Sequence, residues 1–166
     1  LKEAGVPADW TLDIVLPQPY EQHIQAGQIV QDMLSEVGVS GKIRIVEWGV
    51  WLSDIYRGAH DFDITVVGHT GKLDPTGRLG GYGDPDTNYV GFDDPAVVTE
   101  LQQAAATTDV AERKALYAKV LTAMHDEAPF LYFGTPFRVR AQRANVQGFW
   151  ATPLLDSFDF RTTSLN

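Results

Sequence analysis

From Thr11 to Val67 the apolar residues change period repeatedly, and that change constrains the fold more than any other feature of the chain. Leu12, Ile14 and Leu16 alternate with Thr11, Asp13 and Val15 ahead of Pro17 and Pro19, the pattern of a strand with one more deeply buried face. Ile24, Ile29, Val30, Met33, Leu34 and Val37 then follow the spacing of an amphipathic helix that closes at Gly38. Lys42 to Trp48 alternates again and predicts a second strand. Trp51, Leu52, Ile55 and Tyr56 predict a short helix closing near Gly58. Phe62 to Val67 is rich in β-branched residues and nearly continuous, as expected of a central strand buried on both faces. The order β-α-β-α-β, with connections long enough for crossovers, predicts parallel strands wound right-handedly in an α/β fold.

Gly68 to Gly91 is glycine-rich and has no period, which predicts a long loop of the kind that is functional or mobile in compact domains. Asp94-Pro95 starts a helix, with Asp at the N-cap and Pro at the first helical position. Asp109 to Glu112 resembles a capping box and opens another helix, carrying Leu116, Tyr117, Val120, Leu121 and Met124 to a stop at Pro129. Phe130 to Phe133 and Phe137 to Arg143 read as two further strands. The 166 residues amount to about one domain. Leu1 to Gly5 has the pattern of a helix's last turn, with Pro7 just beyond, so the chain is expected to be a piece of something longer.

Charge and composition exclude several classes of function. Thirteen basic against 22 acidic residues leave a net charge of −9, which opposes a nucleic-acid-binding face. No apolar run approaches the ~20 residues of a transmembrane helix. The chain has no cysteine, so disulfides, zinc-thiolate sites and cysteine nucleophiles are excluded. Asp84, Asp86 and Asn88 alternate like a calcium loop, but Tyr89 and Pro95 stand where that loop needs Gly and Glu. His23, His60, His69 and His125 show no metal-ligand spacing, and no metal or other cofactor is expected. Gly41-Lys42 and Gly71-Lys72 lack the upstream glycine of a phosphate loop, and no G-x-S-x-G elbow is present. No catalytic motif is left.

Aromatic residues point instead to binding. Trp48, Trp51, Tyr82, Tyr89 and Phe92 fall near strand ends or in the glycine-rich loop. Ligands of open α/β sheets sit beyond the carboxyl ends of the strands, in pockets with aromatic walls and a few polar anchors. His69, Thr70 and Lys72 directly follow the run Phe62 to Val67 and could supply such anchors. The candidate ligand-binding residues are therefore Trp48, Trp51, His69, Thr70 and Lys72.

Taken in order, several segments resemble the C-terminal part of the peptide/nickel/opine class of bacterial ABC-transporter solute-binding proteins. They are Leu1 to Gly5 (L-K-E-A-G), Val46-Glu47-Trp48 with Trp51-Leu52, and Ala59 to Asp63. Asn88 to Phe92 with Asp94-Pro95, Thr107 to Tyr117, Ala128-Pro129 and Val146 to Phe149 continue the match along nearly the whole chain. The resemblance implies a periplasmic-binding-protein-like lobe over 1–153: a β-α-β-α-β core, two further helices and C-terminal strands. Residues 154–166 would return towards the missing N-terminal lobe. It also implies an extracytoplasmic receptor (lipid-anchored if Gram-positive) that closes on a small polar solute and docks on an ABC permease. Peptide-binding members carry an acid after the buried strand to hold the ligand's amino terminus. Here Gly68-His69-Thr70-Gly71-Lys72 puts His69 in place of a Trp and Lys72 in place of that acid. A cation there would repel an ammonium group, so the expected ligand is anionic or neutral and polar. The alternatives are a stand-alone α/β enzyme using carboxylates and a ligand-sensing regulatory domain built on the same lobe.

Overall fold

β1 (Thr11–Pro17) is the centre of the sheet in a computed structural model of the chain. The structure describes all residues except 1, 2, 4, 8, 58, 59, 85–87, 136, 138, 140 and 152–157. They fall into two compact units, Leu1–His69 with Asp84–Asp93, and Thr70–Gly83 with Asp94–Asn166.

In the first unit, β1 is followed by α1 (Glu21–Glu36), β2 (Ser40–Val46), α2 (Trp48–Val50) running into a π-helical turn (Trp51–Tyr56), and β3 (Ile64–Thr65). The strands are parallel in the order β2-β1-β3, with Ile14 opposite both Ile43 and Ile64. The expected α/β fold is thus observed. Ile14 and Leu16 pack with Val66 on one face, covered by Ile24 and Ala26 of α1. Val15 packs on the other face with Trp51 and Ile55. With helices on both faces, β1 is buried on both, which only a central strand can be. α1 lies tight against the sheet at Gly27, where a Cβ would lie 2.5 Å from Cδ1 of Leu16.

The central strand is therefore β1, not Phe62 to Val67. Phe62 and Val67 do pack on the α2 face and Ile64 and Val66 against the α1 face, as the run implies. Only Ile64 and Thr65 join the ladder, and they join it at an edge. Just before the ladder Asp63 is tied to β1: its amide donates to the Asp13 carbonyl (3.0 Å) and its carboxylate accepts from the Asp13 amide (2.7 Å).

The second unit contains α3 (Thr76–Leu79), a 3₁₀ turn (Gly80–Gly83), α4 (Pro95–Ala106), α5 (Val110–Glu127) and four two-residue strands. The strands pair antiparallel, β4 (Val146–Gln147) with β7 (Ser164–Leu165) and β5 (Trp150–Ala151) with β6 (Phe158–Asp159). Both helix starts are capped as expected: Asp94 accepts from the Ala96 amide (2.8 Å) and Asp109 from the Glu112 amide (2.7 Å). The reciprocal half of the second cap differs. Glu112 accepts from the Thr107 hydroxyl (2.8 Å), and that hydroxyl oxygen in turn accepts from the Asp109 amide (3.3 Å). The strands expected at 130–133 and 137–143 are not formed by the described residues there. An alternating sequence specifies a face, but a strand also needs a neighbouring edge, and none pairs with these residues.

Candidate functional site

The carboxyl ends of the three parallel strands carry a cluster of rings. Tyr20 follows β1, Trp48 follows β2 and His69 follows β3. Val46 ends β2 against the α2 face, and Glu47 then caps the next turn, its carboxylate accepting from the amides of Gly49 (2.6 Å) and Val50 (3.4 Å). That cap satisfies amides a helix start leaves open and fixes where Trp48 emerges. The V-E-W sequence therefore works as strand end, cap and platform.

Trp48 stacks on Trp51 with centroids 5.1 Å apart and planes 6° from parallel. Tyr20 meets Trp48 edge-on at 5.1 Å, and His23 packs against Tyr20 at 4.9 Å. Behind Trp51 lie Tyr56 at 5.8 Å and Tyr89 at 6.5 Å. Tyr89 reaches His69, whose Nε2 is 3.0 Å from the phenol oxygen. Trp51 is locked from beneath, its indole N–H donating to Thr65 Oγ1 (2.9 Å), which donates to the Val15 carbonyl (2.6 Å). Trp51 is 1% exposed, so it backs the stack, while half-buried Trp48 forms the outer plane. Such an outer indole face, pre-set by packing, suits a flat or C–H-rich ligand group.

Three of the five sequence-derived candidates, Trp48, Trp51 and His69, are brought together in the first unit through Tyr89. Thr70 and Lys72 belong to the second unit and are exposed. The Lys72 stem lies beside Gly77, where a Cβ would be 3.2 Å from the Lys72 Cβ. Two residues on, Asp74 accepts from Arg113 Nη2 at both carboxylate oxygens (2.9 and 2.8 Å) and from the Thr76 amide (2.9 Å). Arg113 above all, with Thr76, holds the Asp74 carboxyl down to about 2. Arg113 also donates to the Tyr117 hydroxyl (3.3 Å), which is hydrogen-bonded to Thr76 Oγ1. Tyr82 stands in the second unit too, against Phe130.

Tyr20, His23 and Tyr56 are cluster members that no local pattern singled out. His23 sits in the first turn of α1, with Nε2 3.1 Å from where a Gly68 Cβ would be. Its Nδ1 is buried without a partner, and burial pushes the imidazole pKa below its ordinary value. At the amino ends of the strands lies a different feature, an open depression of about 420 Å³ lined by residues that include Lys42, Asp61 and the Arg44–Asp13 ion pair (2.6 Å). Among the described residues no group of three or more His, Cys, Asp or Glu is placed to hold a metal.

The chain is 28% identical over a 173-residue alignment to di/tripeptide-binding protein 2 of Pseudomonas aeruginosa, covering 100% of this chain and 32% of that protein. It is 29% identical to the dipeptide-binding protein of Escherichia coli, covering 93% and 30%. Its other curated relatives include a glutathione-binding protein of Pectobacterium atrosepticum, 24% identical over 92% of this chain and 32% of that protein. The chain thus spans about a third of the length of these relatives. The crystal structure of a dipeptide-binding protein from a Pseudoalteromonas species in complex with Met-Leu superposes with a TM-score of 0.72 over 99% of this chain and 34% of that one, at 19% identity. The α/β architecture matches a lobe of a periplasmic binding protein. No protein-family model matches the chain.

Proposed function

We propose that this chain is the C-terminal ligand-binding lobe of an extracytoplasmic solute receptor of an ABC importer. The receptor closes on a small polar solute between two lobes and hands it to a membrane permease, without catalysing a reaction. The observation that carries this reading is the aromatic shelf at the carboxyl ends of three parallel strands, with Trp48 as its outer plane. That is where open α/β sheets hold their ligands. The names of the homologues support solute capture, and their threefold greater length supports a second lobe. Trp48 and His69 contact the solute, Trp51 keeps Trp48 in place, and Thr70 and Lys72 supply polar anchors. Residues 154–166 return towards the other lobe.

With Lys72 as the anchor, the solute's group at that point is anionic or neutral. Thermal shift on the complete protein tests this, because a ligand bound only by the folded state raises the melting temperature. The probes are dipeptides such as Met-Leu, free and N-acetylated. We expect the acetylated forms, which lack the ammonium, to shift melting more, Trp48→Ala to abolish the shift, and Lys72→Asp to reverse the preference. Tight binding of free dipeptides that Lys72→Asp destroys would overturn the ligand-charge reading. Micromolar or tighter binding by the 166-residue chain alone would count against two lobes.

A further inference from the structure

Residues 70–83 carry one acid, Asp74, and two bases, Lys72 and Arg78. Arg78 is turned to Tyr82, donating to its hydroxyl (2.7 Å) with the guanidinium carbon 5.5 Å from the ring centre. The Lys72 side chain runs over Gly77: a Cβ there would lie 3.2, 3.3 and 3.7 Å from Cβ, Cγ and Cδ of Lys72. Gly77 belongs to the turn that Asp74 opens, its amide donating to the Asp74 carbonyl (3.0 Å). The carboxylate nearest to Lys72 along the chain is thus part of the turn against which the lysine stem lies. Opposite charges so placed attract each other. Yet among the described residues no carboxylate lies within ion-pair distance of Lys72.

Asp74 is occupied from α5 instead, where Arg113 Nη2 donates to both of its oxygens. Arg113 is itself fixed from two helices. Its Nε donates to the Ala104 carbonyl of α4 (3.0 Å), and its guanidinium carbon lies 5.6 Å from the centre of the Tyr117 ring, one turn on. An ion pair this open, its side chains 28% and 48% exposed, contributes little to folding. What it changes is local charge. Arg113 and Asp74 cancel, and Lys72 keeps its positive charge. We propose that Arg113 sets the charge specificity of the Lys72 anchor: by occupying the Asp74 carboxylate it leaves the Lys72 ammonium open to an anionic or neutral group. This rests on Lys72 being a solute anchor, as read above, and names the residue that keeps it one. Arg113 is a positioning residue, since it acts through Asp74 and not on the solute. Without it, Asp74 turns to Lys72, neutralises the anchor and ends the repulsion of an ammonium group.

Isothermal titration of the complete protein with Met-Leu and with N-acetyl-Met-Leu gives the ratio of the two affinities, which a uniform loss of binding does not move. Arg113→Gln should lower the preference for the acetylated form about three- to fivefold, the size expected of an exposed charge pair. Adding Asp74→Asn to Arg113→Gln should restore the ratio, because the released carboxylate is then gone. An unchanged ratio in Arg113→Gln would overturn the proposal. So would an equal fall in the single and the double variant, which would make Arg113 a structural support only. If Arg113→Gln does not fold, the carbon-13 resonance of the Asp74 carboxyl decides, followed against pH in Lys72→Gln. Its midpoint should stay at about 2, and a rise towards 3.8 would make Lys72 its partner and overturn the proposal. Lys72→Gln also separates the two readings. An affinity ratio that it leaves unchanged removes the anchor reading, and this inference with it. A ratio that responds to Lys72→Gln but not to Arg113→Gln removes this inference alone.

Discussion

Thr11–Pro17 and Phe137–Arg143 are both seven-residue runs with alternating apolar side chains, and they end in opposite situations. In the first, Ile14, Val15 and Leu16 are fully buried in the middle of a parallel sheet. In the second, Phe137 and Val139 are almost wholly exposed. The difference lies outside the segments themselves. β1 has β2 and β3 beside it and helices on both faces, all supplied within the next 50 or so residues. Among the described residues, none of the later run lies in a strand. Alternation therefore states which side chains share a face, and the rest of the chain decides whether that face is ever covered.

The largest effect that could break this comparison is at Trp51. Truncating a large buried aromatic costs about 3–5 kcal/mol, so Trp51→Ala should bring the first unit close to unfolding in urea. Trp48→Ala, one plane further out, should cost far less stability and instead remove ligand capture by the complete protein. Equal losses of stability would mean that Trp48 is core and not platform.

Next comes a matched pair from the two runs. Ile14→Ala removes a fully buried side chain and should cost about 2–5 kcal/mol, whereas Val139→Ala should stay within about 0.5 kcal/mol in the chain alone. Urea unfolding followed by circular dichroism reads both. A large cost at Val139 would show that the later run is already covered. Asp109→Ala is smaller, about 0.5–2 kcal/mol, because it leaves a first-turn amide of α5 without its acceptor. Thr107→Val should reproduce part of that loss through the Glu112 and Asp109 hydrogen bonds.

The pH dependence compares the two units. Burial lowers the His23 pKa by disfavouring the charged imidazole, so the unfolded chain binds its proton more readily than the folded one. Its contribution is full above the ordinary imidazole value of 6.5 and is lost as pH falls from there through the lower folded value. Asp74 has its folded pKa lowered from 3.8 to about 2, chiefly by Arg113, so its contribution is full above 3.8 and is lost towards about 2. His23→Gln should flatten the upper limb of the stability curve of the first unit, and Asp74→Asn the acid limb of the second. Unchanged limbs in these variants would remove both groups from the titration.

These contrasts also explain what could be read ahead of the structure. The β-α-β-α-β order, the caps at Asp94 and Asp109 and the stop at Pro129 are local in origin, set by residues within a turn of one another. Which strand is central is not local. Phe62 to Val67 has the more continuous apolar run, but the sheet order is decided by pairing across the chain. The candidate site divides the same way. Trp48 and His69 stand out because they follow strand-like runs. Tyr20 and His23 belong to the cluster only because three parallel strands end side by side, and Tyr56 because Tyr89 arrives from the glycine-rich loop to pack on it.

The smallest effect sits at the junction that sends the second run into solvent. α5 is capped at its carboxyl end by Ala128, whose φ of 50° and ψ of 45° are left-handed, a conformation in which a Cβ is strained. Pro129 explains why the helix cannot continue, since the residue before proline is driven out of the α region. Glycine adopts the left-handed conformation freely but loses more entropy on folding. Ala128→Gly should therefore stabilise α5 by only about 0.5–1 kcal/mol, measured by thermal unfolding. Exchange at the amides of Leu131, Tyr132, Phe133, Phe137 and Val139 in the chain alone should not change, because among the described residues none of these lies in a strand. If the substitution slowed that exchange, the left-handed turn itself would be what keeps the run from pairing, and its likeness to β1 would be closer than the structure makes it.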